Sequence, residues 1–180
     1  MMDCKRALTE AAGDVEKAIE DLRTQGIAAA GKRSGRETKE GQVWSYIHPG
    51  GRIGVLIEIG CETDFVARTD DFQKLCNELA MQVAATEAEA VRREELDEEF
   101  LAQERRIFTA QAEESGKPAA VIEKIVDGKM EKRLKEVVLL DQPTVRDPDQ
   151  TVHELVTGVM AKLCENIVVR RFARFRLGED

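Results

Sequence analysis

The sequence predicts an α+β protein in which helices pack on an antiparallel sheet of about three strands. Two strand-like segments flank the turn Pro49-Gly50-Gly51, a pattern typical of an antiparallel hairpin. A third strand-like segment, residues 167–177, ends the chain with apolar and basic residues that alternate. Between the hairpin and this closing strand, apolar residues recur at helical spacing, which predicts several amphipathic helices.

Residues 1–27 are predicted to form a helical module of two short helices separated by Gly13. Asp14 is placed to cap the second helix, and Gly26 is placed to end it. Helices of this length bury little apolar surface between them and are marginally stable in isolation. We therefore expect either that they dock on another part of the chain or that a third helix precedes Met1.

Residues 28–41 form a predicted linker that combines glycines with basic side chains. Its glycines and basic residues are Gly31, Gly35, Gly41, Lys32, Arg33, Arg36 and Lys39. This composition favours a solvated spacer, and contact with an acidic partner surface is the alternative.

Residues 42–180 form the predicted core domain, which contains the hairpin, a helix over residues 70–83 and the closing strand. The helix places one apolar face toward the sheet, with Phe72, Leu75, Cys76, Leu79 and Val83. Thr151 and Glu154 have the spacing of a capping box at the start of a later helix.

A charged helical excursion is predicted over residues 87–138, where the chain leaves the sheet and returns. Gly116 is expected to end its first helix, and Gly128 is expected to interrupt its second. In the closing strand, strict alternation puts Phe172 on one face with Val168, and Val169 on the other face.

Composition excludes several classes of protein. The chain of 180 residues carries a net charge of −8, which argues against a nucleic-acid binder whose whole surface is basic. It has no apolar run of about 18 residues, as a membrane helix needs, and no signal-peptide pattern at its start. Its four cysteines lack C-x-x-C spacing, so we expect reduced thiols in a cytoplasmic protein.

Sequence motifs of enzymes are absent. The chain has no Gly-rich phosphate loop and no G-x-S-x-G motif, and its two histidines lack the spacing of metal ligands. A thiolate pair of Cys61 and His48 is conceivable, but a cysteine at a strand end is more often a small buried apolar residue. We therefore predict neither an enzyme nor a bound cofactor or metal.

The most informative segment is the tip, which we define as Thr63, Asp64, Phe65 and Val66, between the second strand and the next helix. An acid beside an aromatic ring at such a corner suits a surface wedge, in which the ring enters an apolar slot of a partner. Alternatively, Phe65 packs under its own helix as a hydrophobic staple. The local sequence alone favours the staple.

Arginines of the closing strand offer a second functional hypothesis. Arg170, Arg171, Arg174 and Arg176 are interleaved with Phe172 and Phe175. Arginine and aromatic side chains on a strand can bind RNA by phosphate contact and stacking. The alternative, which the acidic composition favours, is that the long side chains cover the sheet edge.

Several segments resemble the bacterial elongation factor Ts family, in the same order and over nearly the whole chain. The similar segments are residues 1–8, Gly13-Asp14, residues 16–18, residues 52–56, residues 61–67, residues 116–118, residues 137–140 and residues 165–172. The tip matches the signature of this family.

The resemblance implies a guanine-nucleotide exchange factor that acts on elongation factor Tu, a GTPase of protein biosynthesis. The tip would enter the GTPase near its bound magnesium, with Phe65 as a wedge and Asp64 rearranging the loops that hold the ion and phosphate. Met1, Met2 and His48 match segments that make secondary partner contacts. The alternative remains an RNA- or ribosome-associated protein that uses the closing-strand arginines.

The resemblance also has implications for architecture. Residues 1–27 match a ubiquitin-associated-like module that usually has a further helix before Met1. The single core domain is similar to the short branch of the family, in which two copies pair, so we expect a homodimer. Ala173 occupies the position where some short members carry a linking cysteine, which excludes that disulfide here. Neither direct nucleic-acid binding nor membrane association is expected.

Overall fold

Helices pack around one antiparallel sheet in the computed structural model, which describes residues 2–114 and 118–179. Within these residues the strands are β1 (Glu40–Ile47), β2 (Ile53–Cys61) and β3 (Ile167–Arg176), paired in the order β1-β2-β3. The α-helices are α1 (Met2–Glu10), α2 (Val15–Arg33), α3 (Asp64–Ala67), α4 (Asp70–Ala85), α5 (Glu98–Glu113), α6 (Ala119–Val137) and α7 (Val152–Leu163). The predicted α+β class with a three-stranded antiparallel sheet is confirmed.

The predicted hairpin is confirmed, with β1 and β2 paired from Glu40 opposite Cys61 to Ile47 opposite Gly54. In the turn, Gly50 and Gly51 have φ angles of 97° and 69°, which side chains other than glycine rarely adopt. The hairpin therefore ends near residue 50, and the opposite end of the sheet holds Cys61 and the chain that leaves it.

The main core lies between the sheet and α4. The side chains of α4 that were predicted to face the sheet are buried, and Phe72 and Leu79 are fully enclosed. They pack against the apolar side chains of β2, among them Ile57 and Ile59. Because apolar burial drives this contact, the 3.6-residue spacing in the sequence was sufficient to predict it.

The predicted end of the second helix at Gly26 is wrong, since α2 continues to Arg33. Gly26 lies against α7, where a Cβ atom on it would be 3.1 Å from the Cβ of Ala161. Ala30, one turn further along, is buried in the main core. Packing on α7 thus keeps the glycine-containing segment helical, and the expected linker is reduced to residues 34–39.

The helical module was expected to dock on another part of the chain, and this is confirmed. Its second helix belongs to α2, which packs on α7. α7 itself begins at the predicted capping box. The Thr151 hydroxyl accepts a hydrogen bond from the Glu154 backbone N–H at 3.1 Å, and the Glu154 carboxylate accepts one from the Thr151 N–H at 2.8 Å.

The predicted helical excursion is an antiparallel helical hairpin made by α5 and α6. Arg133 pairs with Glu104 at 3.7 Å, and Lys129 donates to the Gln111 side chain at 2.8 Å, so the two helices run in opposite directions. The expected interruption at Gly128 is wrong, because α6 passes through it without a break. The predicted stop at Gly116 lies outside the described residues.

The strict alternation predicted for the closing strand is wrong, because β3 contains a bulge at Arg170. Val169 pairs with Ile59, but Arg171 pairs with Glu58, which leaves Arg170 as an extra residue. The core face of β3 therefore carries Ile167, Val169, Phe172 and Arg174, and the outer face carries Val168, Arg171, Ala173 and Phe175. One extra residue exchanges the two faces of a strand.

The outer face of the sheet is open in the described part of the chain and carries exposed apolar side chains. Val43, Ile47, Leu56 and Phe175 are all exposed there. Strand register places Ile47, Gly54 and Phe175 in one row across the three strands. An antiparallel sheet with one solvated face normally carries polar residues on it, so this face is unusually apolar.

Candidate partner-binding site

The tip forms the start of α3, a helix of a single turn. Thr63 is its N-cap residue, with an extended backbone and a hydroxyl that accepts the Val66 N–H at 3.4 Å. Asp64, Phe65 and Val66 are its first three residues. The next residue, Ala67, is buried, so α3 has an inner side that rests on the core.

Phe65 is 79% exposed, which makes the staple interpretation wrong. Val66 packs against the main core and Ala67 is buried within it, so these neighbours occupy the inner side of the turn. Helical geometry then directs Phe65 outward. A phenylalanine ring in water loses the apolar transfer free energy that burial would give, so its exposure suits contact with a partner.

Asp64 lies beside Phe65 on the same turn and pairs with Arg68 at 2.8 Å. Both side chains are well exposed, at 44% for Asp64 and 75% for Arg68. Exposed ion pairs of this kind contribute little to stability, because water screens them. The carboxylate can therefore exchange Arg68 for a charge on a partner without disturbing the fold.

The polypeptide on either side of this turn is anchored by side chains from β1 and from the connection before β3. At its C-terminal end, the Gln42 side chain of β1 donates to the Ala67 carbonyl at 2.8 Å. At its N-terminal end, the Glu165 carboxylate accepts the Thr63 hydroxyl at 2.6 Å and the Thr63 N–H at 3.0 Å. Phe65 and Asp64 are thus presented from a rigid support.

Sequence analysis missed the two anchoring side chains. Gln42 falls in a strand where its side chain has no distinguishing pattern. Glu165 was included only as part of the motif that begins the closing strand. The antiparallel pairing of β2 with β3 places Cys61 opposite Ile167. Had this pairing been predicted, it would have indicated that Glu165 lies near the tip.

Two buried thiols lie close to each other, Cys61 next to the tip and Cys76 on α4, and neither is activated. Burial raises the pKa of the Cys61 thiol to about 11, with the nearby Glu165 charge as a smaller cause. Burial raises the pKa of the Cys76 thiol to about 12. Thiols with such values are protonated at neutral pH and are poor nucleophiles.

His48 lies at the opposite end of the sheet from the tip, so the thiolate pair with Cys61 does not form. Cys61 is paired with the first residue of β1, and His48 follows its last residue, Ile47. Along a strand, this separation is about 25 Å. His48 is exposed, and its Nδ1 lies 3.1 Å from the Tyr46 hydroxyl.

The two methionines predicted to contact a partner are only partly covered by the structure. Met1 lies outside the described residues, and Met2 is the first residue of α1, with its side chain outside the description. Nearby, the helical module exposes the apolar side chains of Leu8, Val15 and Ile19. This surface and the tip lie on separate elements.

The four arginines of the closing strand are engaged by groups of the same chain. Arg171 pairs with Glu58 at 2.7 Å, and Arg176 pairs with Glu179 at 2.9 Å. The other two donate to backbone carbonyls, Arg170 to Thr38 and Arg174 to Thr86. These contacts favour the interpretation in which the arginines cover the sheet rather than bind RNA phosphates.

Among residues 2–114 and 118–179, no group of three or more histidine, cysteine or acidic side chains is arranged to hold a metal ion. The helices in the same residues include none that combines the length and apolar character required to cross a membrane.

Comparison with known proteins identifies the family. The sequence model described as Elongation factor TS matches residues 3–179. The chain belongs to the elongation factor Ts family. This membership gives it a role as a translation elongation factor and not as an enzyme with covalent chemistry of its own.

Curated relatives support the assignment to the elongation factor Ts family over almost the full chain. Elongation factor Ts of Carboxydothermus hydrogenoformans is 59% identical over 179 residues, which are 99% of this chain and 82% of that relative. Elongation factor Ts of Moorella thermoacetica is 58% identical over 99% of this chain and 88% of the relative. The protein of the same name from Caldanaerobacter subterraneus subsp. tengcongensis is 54% identical and is covered over 90% of its length.

Proposed function

We propose that the chain is a guanine-nucleotide exchange factor that promotes release of GDP from elongation factor Tu. The observation that carries this proposal is the exposure of Phe65 on an anchored helical turn, next to the carboxylate of Asp64. An aromatic ring held outward in this way has apolar area to offer a slot in a partner. The family membership supplies the context of translation elongation.

Disturbance of a bound magnesium ion provides the mechanism. The ion neutralises phosphate charge by bridging phosphate oxygens to the GTPase. In the proposed complex, Phe65 separates side chains near the ion, and Asp64 exchanges its exposed partner Arg68 for charges of the GTPase loops. The phosphates lose charge compensation, and GDP leaves.

Thermodynamic coupling makes the effect reciprocal. A protein that weakens the binding of nucleotide to the GTPase must itself bind the GTPase more weakly when nucleotide is present. The two affinities change by the same ratio. A coupling of about 3 kcal/mol corresponds to more than a hundredfold change in affinity. No bond in the chain is made or broken in this process.

Secondary contacts come from the helical module and from the far end of the sheet. We assign the module, residues 1–27, to a ubiquitin-associated-like arrangement that docks on the GTPase through the exposed side chains of Leu8, Val15 and Ile19. Met1 and Met2 are proposed as further contacts on the basis of the sequence alone. His48 supplies a further contact, and its exposure at the hairpin supports this role. The core domain carries the tip, and residues 34–39 connect α2 to β1.

We further propose that the chain acts in the cytoplasm as a homodimer. The apolar outer face of the sheet supports pairing of two copies, since Ile47, Leu56 and Phe175 would otherwise remain in water. Ala173 lies on this face beside Leu56, so the pair would be held by packing without a disulfide at that position.

Release of fluorescent GDP from elongation factor Tu tests the exchange function. We expect the chain to accelerate release, and we expect Phe65→Ala to lose about tenfold or more of the acceleration, because the removed ring contributes about 1.5–3 kcal/mol of apolar contact. Asp64→Ala should also lose activity while the protein stays folded. Val145→Ala, which shortens an exposed apolar side chain elsewhere, is the matched control and should retain full activity.

Unchanged GDP release in the presence of the intact chain would reject the exchange function. Full activity in both Phe65→Ala and Asp64→Ala would leave exchange standing but reject the tip as its site.

A further inference from the structure

Glu165 lies in the connection between α7 and β3, and its carboxylate accepts three hydrogen bonds from the two residues before α3. One carboxylate oxygen accepts the backbone N–H groups of Glu62 and Thr63 at 3.1 and 3.0 Å. The other accepts the Thr63 hydroxyl at 2.6 Å. Hydrogen bonds to an ionised acceptor are about twice as strong as neutral ones, so this contact holds the start of α3 more firmly than a neutral side chain would.

The Thr63 hydroxyl connects Glu165 to the tip. A threonine hydroxyl has one proton to donate and lone pairs with which to accept. Because its proton goes to Glu165, its lone pairs are left for the Val66 N–H at 3.4 Å. Glu165 thereby fixes the rotation of the hydroxyl that caps α3, the turn from which Phe65 projects.

A reciprocal contact strengthens this link. The Glu62 carboxylate accepts the backbone N–H of Asn166 at 2.7 Å, while Glu165 binds the N–H of Glu62. Each acid therefore binds the backbone of the other segment, just beyond the point where the pairing of β2 with β3 ends. Arg36, 3.4 Å from the Glu62 carboxylate, supplies a cation that reduces the repulsion between the two acids.

These contacts restrain α3 at its N-terminal end as well as stabilising it. A helix of one turn has little stability of its own, and Ala67 and Gln42 already fix its C-terminal end. An additional charged anchor at the N-terminal end restricts the direction in which the turn presents its outer side chains. The same contacts that hold the ends of β2 and β3 together therefore also fix the orientation in which Phe65 would meet a partner.

We propose that Glu165 is a positioning residue for nucleotide exchange. It acts through Thr63 and the α3 backbone to hold Phe65 in the orientation that enters the GTPase, and it does not itself contact the nucleotide site. This inference rests on the proposed exchange function.

Saturation kinetics of GDP release separate positioning from affinity. In Glu165→Ala, we expect the release rate at saturating factor to fall about tenfold, as expected for loss of hydrogen bonds to a charged group. The concentration for half-maximal effect should change little, because the helical module keeps its contacts. Glu165→Gln retains one acceptor oxygen for the backbone N–H groups and should lose less.

Hydrogen exchange of the Val66 amide provides a readout that is independent of activity. We expect this amide to exchange faster in Glu165→Ala than in the parent chain, because the cap hydroxyl is free to rotate. Glu154→Ala is the matched control. It removes a glutamate that bonds a threonine hydroxyl and a backbone N–H in the same way, but at the start of α7.

The possible outcomes distinguish this inference from the function on which it rests. If the parent chain does not accelerate release, the exchange function and the inference both fail. If the parent and Phe65→Ala behave as proposed but Glu165→Ala keeps the parent limiting rate, the inference alone is overturned. Equal losses in Glu154→Ala and Glu165→Ala would also overturn it, and Glu165→Gln carries the test should Glu165→Ala not fold.

Discussion

Phe65 is exposed because its neighbours on the same turn take the buried positions. Thr63 caps the turn, and Val66 and Ala67 rest on the core, which leaves Asp64 and Phe65 on the outside. Five consecutive residues thus divide into three that hold the structure and two that are available to a partner. This division explains how a segment that packs on the main core can also expose an acid and an aromatic ring.

Cys76 gives a prediction for the pH dependence of stability. Its thiol is fully buried on α4, and burial raises its pKa from the ordinary value of 9.0 to about 12. Between these two values the folded chain holds a proton that the unfolded chain releases. The free energy of unfolding should therefore fall as pH rises above 9.0, and this thiol has no such effect at lower pH.

Urea unfolding between about pH 8 and pH 10 measures this effect. Cys76→Ala should lower stability at all pH values through the lost packing, but its stability should fall less steeply with pH than that of the parent chain. Cys164→Ala removes an exposed thiol and is the control, with the parent slope. A Cys76→Ala slope as steep as the parent slope would contradict the prediction.

Among the elements, α6 shows how a helix can tolerate a glycine in its interior. Gly128 is exposed, and a Cβ atom placed on it would meet nothing within 4 Å. Gly128→Ala should therefore raise the free energy of unfolding by about 0.5–1 kcal/mol, because alanine loses less backbone entropy in a helix. Chemical denaturation measures the change.

Gly41→Ala is the informative contrast to this variant. A Cβ atom on Gly41 would clash with the carbonyl oxygen of Ile59. The φ angle of Gly41 is 141°, which side chains other than glycine rarely adopt. The same substitution should destabilise the sheet there. If Gly128→Ala left the free energy of unfolding unchanged or lowered it, the prediction for α6 would be wrong. The open space around Gly128 would then not be enough for alanine to stabilise the helix.

Helices and strands that are determined by their own residues could be predicted from the sequence. The buried face of α4 follows from apolar spacing, the capping box of α7 from Thr151 and Glu154, and the hairpin from its glycine turn. Continuation of α2 past Gly26 depends on α7, more than a hundred residues later in the chain, and could not be predicted locally. The bulge at Arg170 likewise depends on register with β2.

The candidate site, like the fold, was predictable from the sequence only where its causes are local. The tip was recognisable from an acid and a ring at the end of a strand, but the local sequence favoured a buried ring. Phe65 is exposed because Val66 and Ala67 occupy the inner side of α3. The turn is held in that orientation by Gln42 and Glu165, which are distant in the sequence.

At the scale of the whole molecule, the open face of the sheet predicts self-association. Leu56→Glu would place a charge among apolar side chains in a dimer interface, where an unpaired charge is costly. We therefore expect the parent chain to sediment as a dimer and Leu56→Glu as a monomer with unchanged helix content. Analytical ultracentrifugation over a range of concentrations, with circular dichroism, measures both.

Val145→Glu is the control for this experiment, since Val145 is exposed outside the sheet. It adds the same charge and should leave the dimer intact. A parent chain that remains monomeric at high concentration would remove the basis for pairing through the sheet.

The short connection after α2 has a consequence for how the molecule meets a partner. The Asn166 side chain donates to the carbonyls of Ser34 and Arg36, and α2 lies along α7, so the first two helices cannot swing freely on a tether. Their distance from the projecting ring is built into the fold. In the proposed complex, a GTPase would have to present two docking points that match this span, so spacing would select the partner alongside surface chemistry.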